Sequence, residues 1–255
     1  MVGGGRMEIQ SSIMDDRLEV IFPIKIEESI EYTIIEKTTG RTVDAGIPIF
    51  RDTFTTWGKE QVARLVGEVG SQYPIDEVRA RVSGAWNTVA ATSIAVVNGS
   101  LRVESGTFTT SGTYDVVAGG SSLYAGANHN EISTSVPLSS GQELVFTIYY
   151  GFSGLNYGGN TITAGRLGGV SGYYPVNTVG VDFNGTLTTK NASKSIFSNT
   201  LRLTCTEFTS SGTYDSFSAI TSNPIGEEYY HMFSGHTIVL QANQELKPYL
   251  YFVYG

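Results

Sequence analysis

The chain has 255 residues, 40% of them hydrophobic and only 16% charged, with a formal net charge of −8. It has no basic stripe to neutralise phosphates, which argues against nucleic acid as a partner. No apolar run reaches the ~20 residues of a helical membrane span, and one cysteine, Cys205, excludes an internal disulfide framework and a cysteine-based zinc site.

Residues 1–16 read as a flexible arm: Met1 to Arg6 is MVGGGR, with no apolar core behind it, so no signal peptide is expected. Leu18 to Ile26 (LEVIFPIKI) alternates as a strand does, with Pro23 pushing it toward an edge or a bend. Glu31 to Glu36, a turn ending at Gly40, and Arg41 to Ala45 predict a β-hairpin. Thr55 or Thr56 can cap a helix in which Trp57, Gln61, Val62, Leu65, Val66 and Val69 recur at helical spacing, with Gly70 ending it. It is the one helix that the pattern supports. Strands follow near 77–83, 92–97, 100–109, 113–118, 130–136 and 142–150, with Asn98-Gly99 as a hairpin turn.

Gly151 to Gly159 (GFSGLNYGG) has four glycines and no charge, which predicts a linker over 152–159. Beyond it, Thr163 to Leu167 is similar to Thr56 to Lys59, but the helical body gives way to Gly168-Gly169. Two glycines cost roughly 1 kcal/mol each inside a helix, so a turn or one short helical turn is expected there. Strands near 178–184, 194–197, 200–209, 213–219, 235–240 and 245–254 complete the chain.

These two series repeat one another. LRVESGTFTTSGTYD (Leu101 to Asp115) and LRLTCTEFTSSGTYD (Leu201 to Asp215) share nine of fifteen positions at an offset of 100. Tyr73-Pro74 faces Tyr174-Pro175, His129 faces His231, and Gln142-Glu143-Leu144 faces Gln244-Glu245-Leu246. The expectation is an internal duplication. It gives a mainly β fold of two tandem, homologous β-sandwich (jelly-roll-like) modules with an N-terminal β-hairpin and one short helix. The parts are the arm at 1–16, a first module over 17–151, the linker at 152–159 and a second module over 160–255.

His231 and His236 lie five apart, and His129 is the third histidine. A metal reading needs two of them to converge with carboxylates such as Glu227 or Glu228. Five is not the i, i+4 spacing of a helical zinc site, and no HExxH is present. The other reading is histidines at strand edges or loops that donate to backbone carbonyls. Asp115 and Asp215 close the repeated stretch. As acid and base they would stand in separate modules, so each is expected to cap a turn by accepting backbone N–H groups. Cys205 faces Ser105 in the other copy and reads as a small buried residue. No nucleophile elbow, phosphate loop or dinucleotide fingerprint occurs. No catalytic, cofactor-binding or metal residue is assigned, and no cofactor is expected. Tyr149, Tyr150, Tyr251 and Tyr254 on the closing strands could stack on sugar rings, a reading that requires Trp86 and the Tyr149 region to be exposed.

The order of hairpin, Thr-x-x-Gly-Lys helix (Thr55 to Gly70), Tyr-Pro segment, Gly-Thr-Tyr-Asp turn and the closing strand from Pro137 to Tyr150 resembles tailed-bacteriophage virion proteins of the minor tail, fibre-associated or capsid decoration type. The resemblance covers about residues 30–151 and, more weakly, 160–255. It implies no catalytic residues. What it implies is a non-enzymatic structural component of a phage particle, residing in the virion after assembly in the host cytoplasm. Its partners would be other copies of itself and other virion proteins, as a homo-oligomer without nucleic acid or membrane. The alternatives are a host-surface carbohydrate-binding module and, behind it, a cell-wall polysaccharide hydrolase.

Overall fold

The computed structural model describes residues 10–14, 17–51, 54–156, 158–223, 226–240 and 246–255. The fold is mainly β, of the β-sandwich class, with open sheets and two short helices. It opens with β1 (Gln10–Met14), β2 (Arg17–Glu36) and β3 (Thr42–Arg51), followed by α1 (Thr56–Gly67). The N-terminal half continues with β4 (Glu77–Val82), β5 (Ala85–Val97), β6 (Ser100–Ser105), β7 (Gly112–Gly120), β8 (Ile132–Leu138) and β9 (Gln142–Ser153). After α2 (Gly159–Leu167) come β10 (Val176–Phe183), β11 (Thr186–Asn191), β12 (Ser193–Phe197), β13 (Thr200–Thr204), β14 (Gly212–Asn223), β15 (Gly226–Leu240) and β16 (Lys247–Tyr254).

Strand β2 holds the two halves together. Arg17 to Ile24 pair in parallel with β16, and Lys25 to Glu36 pair antiparallel with β9. The switch of partner falls just after Pro23, which lacks an N–H and so marks where a ladder can end. A 12-stranded sheet results, in the order β12-β13-β16-β2-β9-β6-β5-β4-β7-β8, with β1 and β3 also on β2. A second sheet, β11-β10-β14-β15, belongs to the C-terminal half. The difference between the halves lies in one strand. Thirteen-residue β5 passes from β4 to β6 through a register shift at Ala91/Ser93, whereas its counterpart is interrupted at Ala192 into β11 and β12. Ala91 N donates to Asp76 O at 2.9 Å and Ala192 N to Asn177 O at 2.8 Å, so both bends are fastened alike.

Alternation decides which faces are buried. Leu144, Phe146, Ile148, Tyr150 and Phe152 of β9 point inward, as do Leu246, Leu250, Phe252 and Tyr254 near and on β16. The tyrosines of the repeated stretch behave identically: Tyr114 and Tyr214 are buried, and their hydroxyls donate to Thr110 O and Ser210 O, each at 2.9 Å. One buried cluster runs through both halves.

The helices cross between the halves. α1 is fixed at its start to the first half, where Thr55 caps it by accepting from Gly58 N (2.9 Å) and donating to Asn128 O (2.8 Å). Its body packs against β12, β13 and β16 of the second half. α2 packs conversely on β5, β6 and β9, and the helices touch one another. The contacts match in detail. A Cβ on Gly67 would lie 2.5 Å from Leu201 Cδ1, and one on Gly168 2.4 Å from Leu101 Cδ1. Arg166 on α2 donates from Nε to Leu65 O (2.8 Å) and from Nη2 to Gln72 Oε1 (3.1 Å).

Three expectations are corrected. Within the arm expected over 1–16, Gln10 to Met14 form β1, paired with Arg17 to Ile21; the remainder of that arm lies outside the described residues. The expected linker carries the end of β9 and the start of α2. The second helix is nine residues long, where a turn or at most one short helical turn was expected; Gly168 ends it. Among the described residues no helix is long and apolar enough to cross a membrane.

Candidate binding cleft

A cleft of about 680 Å³ lies between the start of α1, the β4–β5 hairpin and the segment from Ser121 to Glu131. It falls within the ~300–1,000 Å³ typical of small-ligand sites. Its wall is built around Arg79, buried on β4. The guanidinium pairs with Glu77 (2.5 Å). Its other donors reach Ser121 O, Tyr124 O, Ala125 O, Ala127 O and Asn128 Oδ1 at 2.9–3.4 Å. A planar fork with five N–H donors is suited to gathering carbonyls from one loop in this way. Asp76 holds the same loop from the other side, accepting from Ser122 N (2.6 Å) and Ser122 Oγ (2.5 Å).

Aromatic rings cover the loop. Trp57, Tyr73 and Tyr124 stack pairwise with centroids 5.1–6.1 Å apart and planes within 30°. The His129 ring meets Trp57 edge-on at 4.8 Å. His129 is wholly buried, and its Nε2 lies 2.8 Å from Tyr73 O. A carbonyl only accepts, so Nε2 carries the proton and Nδ1 is left as an acceptor, which has no partner. Burial brings its pKa down to about 4, and the nearby Arg79 charge acts in the same direction. On the opposite wall Trp86 is 40% exposed, with the Arg81 guanidinium 5.9 Å from its ring. Ser121 at the cleft is fully buried, and its Oγ has no hydrogen-bond partner.

The residues singled out from the sequence are dispersed. His129 lies in the first half, while His231 sits on β15 opposite Ala219 and accepts at Nδ1 from Asn156 N (3.1 Å). Glu227, Glu228 and His236 lie on β15, and their side chains fall outside the described residues. Among the described residues no group of three histidines, cysteines or acids could hold a metal ion. Asp115 is not chiefly a turn cap. It forms a two-pronged ion pair with Arg81 across the neighbouring strand, at 2.9 and 3.1 Å, and this holds its carboxyl below the usual range. Asp215 is exposed. Cys205 is buried, and burial pushes its thiol up to about 11, which makes it inert. Tyr149 is half-buried and Trp86 is open. Sequence reasoning named Trp86 but took Trp57 for a helix core position and passed over Arg79. An arginine flanked by Val78 and Ala80 on a strand was the available signal.

Comparison with known protein families, curated proteins and solved structures finds no match to this chain.

Proposed function

We propose that the chain is a structural component of a bacteriophage particle, of the tail, fibre-associated or capsid decoration type, acting through subunit–subunit contacts and not through catalysis. The observation that supports this most is the open sheets. β8 and β12 end the large sheet and β11 and β15 the small one, each with an edge that has no strand partner among the described residues. Unpaired edge N–H and C=O groups are templates for another chain. Apolar side chains stand beside two of these edges: Phe197 is 53% exposed at the end of β12 and Val239 57% exposed on β15. Val97, at the tip that matches Phe197, is 43% exposed.

Light scattering on the purified chain tests the reading. A multimer of fixed stoichiometry is expected, and Phe197→Glu or Val239→Glu should shift it toward monomer while leaving the circular dichroism spectrum unchanged. A monomer at every concentration would remove the proposal.

A further inference from the structure

We propose that the cleft beside Arg79 binds a neutral carbohydrate, a role independent of the assembly reading. A pyranose ring presents an apolar C–H face and a rim of hydroxyls, so its site needs an open aromatic surface next to uncharged donors and acceptors. Trp86 supplies the first here, with the half-buried Trp57 also lining the cleft. Thr55, Thr88, Ser122 and Asn128 line the same cleft. At its buried margin, the Ser121 hydroxyl lacks a partner.

The charges exclude the obvious alternatives. Glu77 is neutralised by Arg79, whose donors are spent on the loop carbonyls and Asn128. Glu131 accepts from Asn128 Nδ2 at 2.9 Å and lies in the field of Arg81. Among the described residues lining the cleft no cation is left over for a phosphate or uronate, and little net negative charge for an ammonium group.

The second half shows that the fold does not require these side chains. Its strands pair in the same register, with Asp182↔Leu187 where the first half has Arg81↔Trp86. Gly159 sits over Tyr230 O as Gly58 sits over His129 O. By these correspondences Trp57, Arg79 and Trp86 are replaced by Gly158, Gly180 and Leu187. The two indoles and the arginine are particular to this cleft.

The test is isothermal titration of the full chain with glucose, galactose, mannose, N-acetylglucosamine and trisaccharides of each, with tetramethylammonium and inorganic phosphate as charged probes. At least one neutral sugar should bind in the millimolar range or tighter. Trp86→Ala, at an exposed position, should weaken it by about tenfold or more, and Asn128→Ala should weaken it as well. Absence of binding by every neutral sugar, binding confined to a charged probe, or binding indifferent to both substitutions would overturn the proposal.

Discussion

His129 enters the fold as a neutral imidazole, held by Tyr73 O and enclosed by Trp57, and that state has a consequence for stability. Burial brings its pKa to about 4 in the folded chain against 6.5 when free, with Arg79 also opposing and Asp76 favouring the charged form. Between those values the unfolded chain binds the extra proton. Stability is therefore flat above about pH 6.5 and falls as the pH drops toward 4, by up to about 3 kcal/mol for this residue. Burial brings His231 to about 4 as well, so it adds in the same direction. Asp115 and Glu207, held below the usual carboxylate range by Arg81 and Lys247, lose their contribution only at lower pH. The urea midpoint should drop clearly between pH 7.5 and pH 4.5. An unchanged midpoint would mean that these imidazoles are charged or open to solvent. The donation of His129 to a backbone carbonyl was legible in the sequence as one of two readings. The accepting role of His231 was not, because it depends on Asn156, which only the fold brings near.

Among the elements, α1 was legible because its capping threonine and its apolar spacing agree, although it ends at Gly67, with Glu68 in the left-handed region, three residues before Gly70. α2 was not, because its glycines answer to close packing and not to helix propensity. A Cβ on Gly159 would lie 2.1 Å from Tyr230 O, and one on Gly165 2.1 Å from the Tyr173 ring. The same conflict gives a prediction in α1. Alanine is favoured over glycine in a helix by about 1 kcal/mol, yet a Cβ at Gly58 would stand 2.0 Å from the His129 carbonyl, whereas at Gly67 its close contact is the end of the Leu201 side chain and no backbone atom. Gly58→Ala should cost roughly 2–4 kcal/mol in chemical denaturation. Gly67→Ala should change stability by less than about 1 kcal/mol. Equal effects would place the start of α1 elsewhere.

At the scale of the whole molecule, local pattern marked most strands but not their partners. Leu18 to Ile26 and Glu31 to Glu36 read as separate strands, and they are one, because β2 serves β16 with its first part and β9 with its second. A glycine-rich stretch suggested two modules on a tether. Instead a shared strand and two crossed helices join the halves, and no periodicity in the chain announces which half a helix will cover. The sequence provides its own reporters for this coupling: both tryptophans, Trp57 and Trp86, lie in the first half, and the one thiol, Cys205, is buried in the second. The decisive measurement is urea unfolding followed in parallel by tryptophan fluorescence and by labelling of Cys205. Interlocked halves predict one cooperative transition with coincident midpoints; a thiol that becomes reactive well before or well after the fluorescence changes would show that the halves unfold independently and contradict the account.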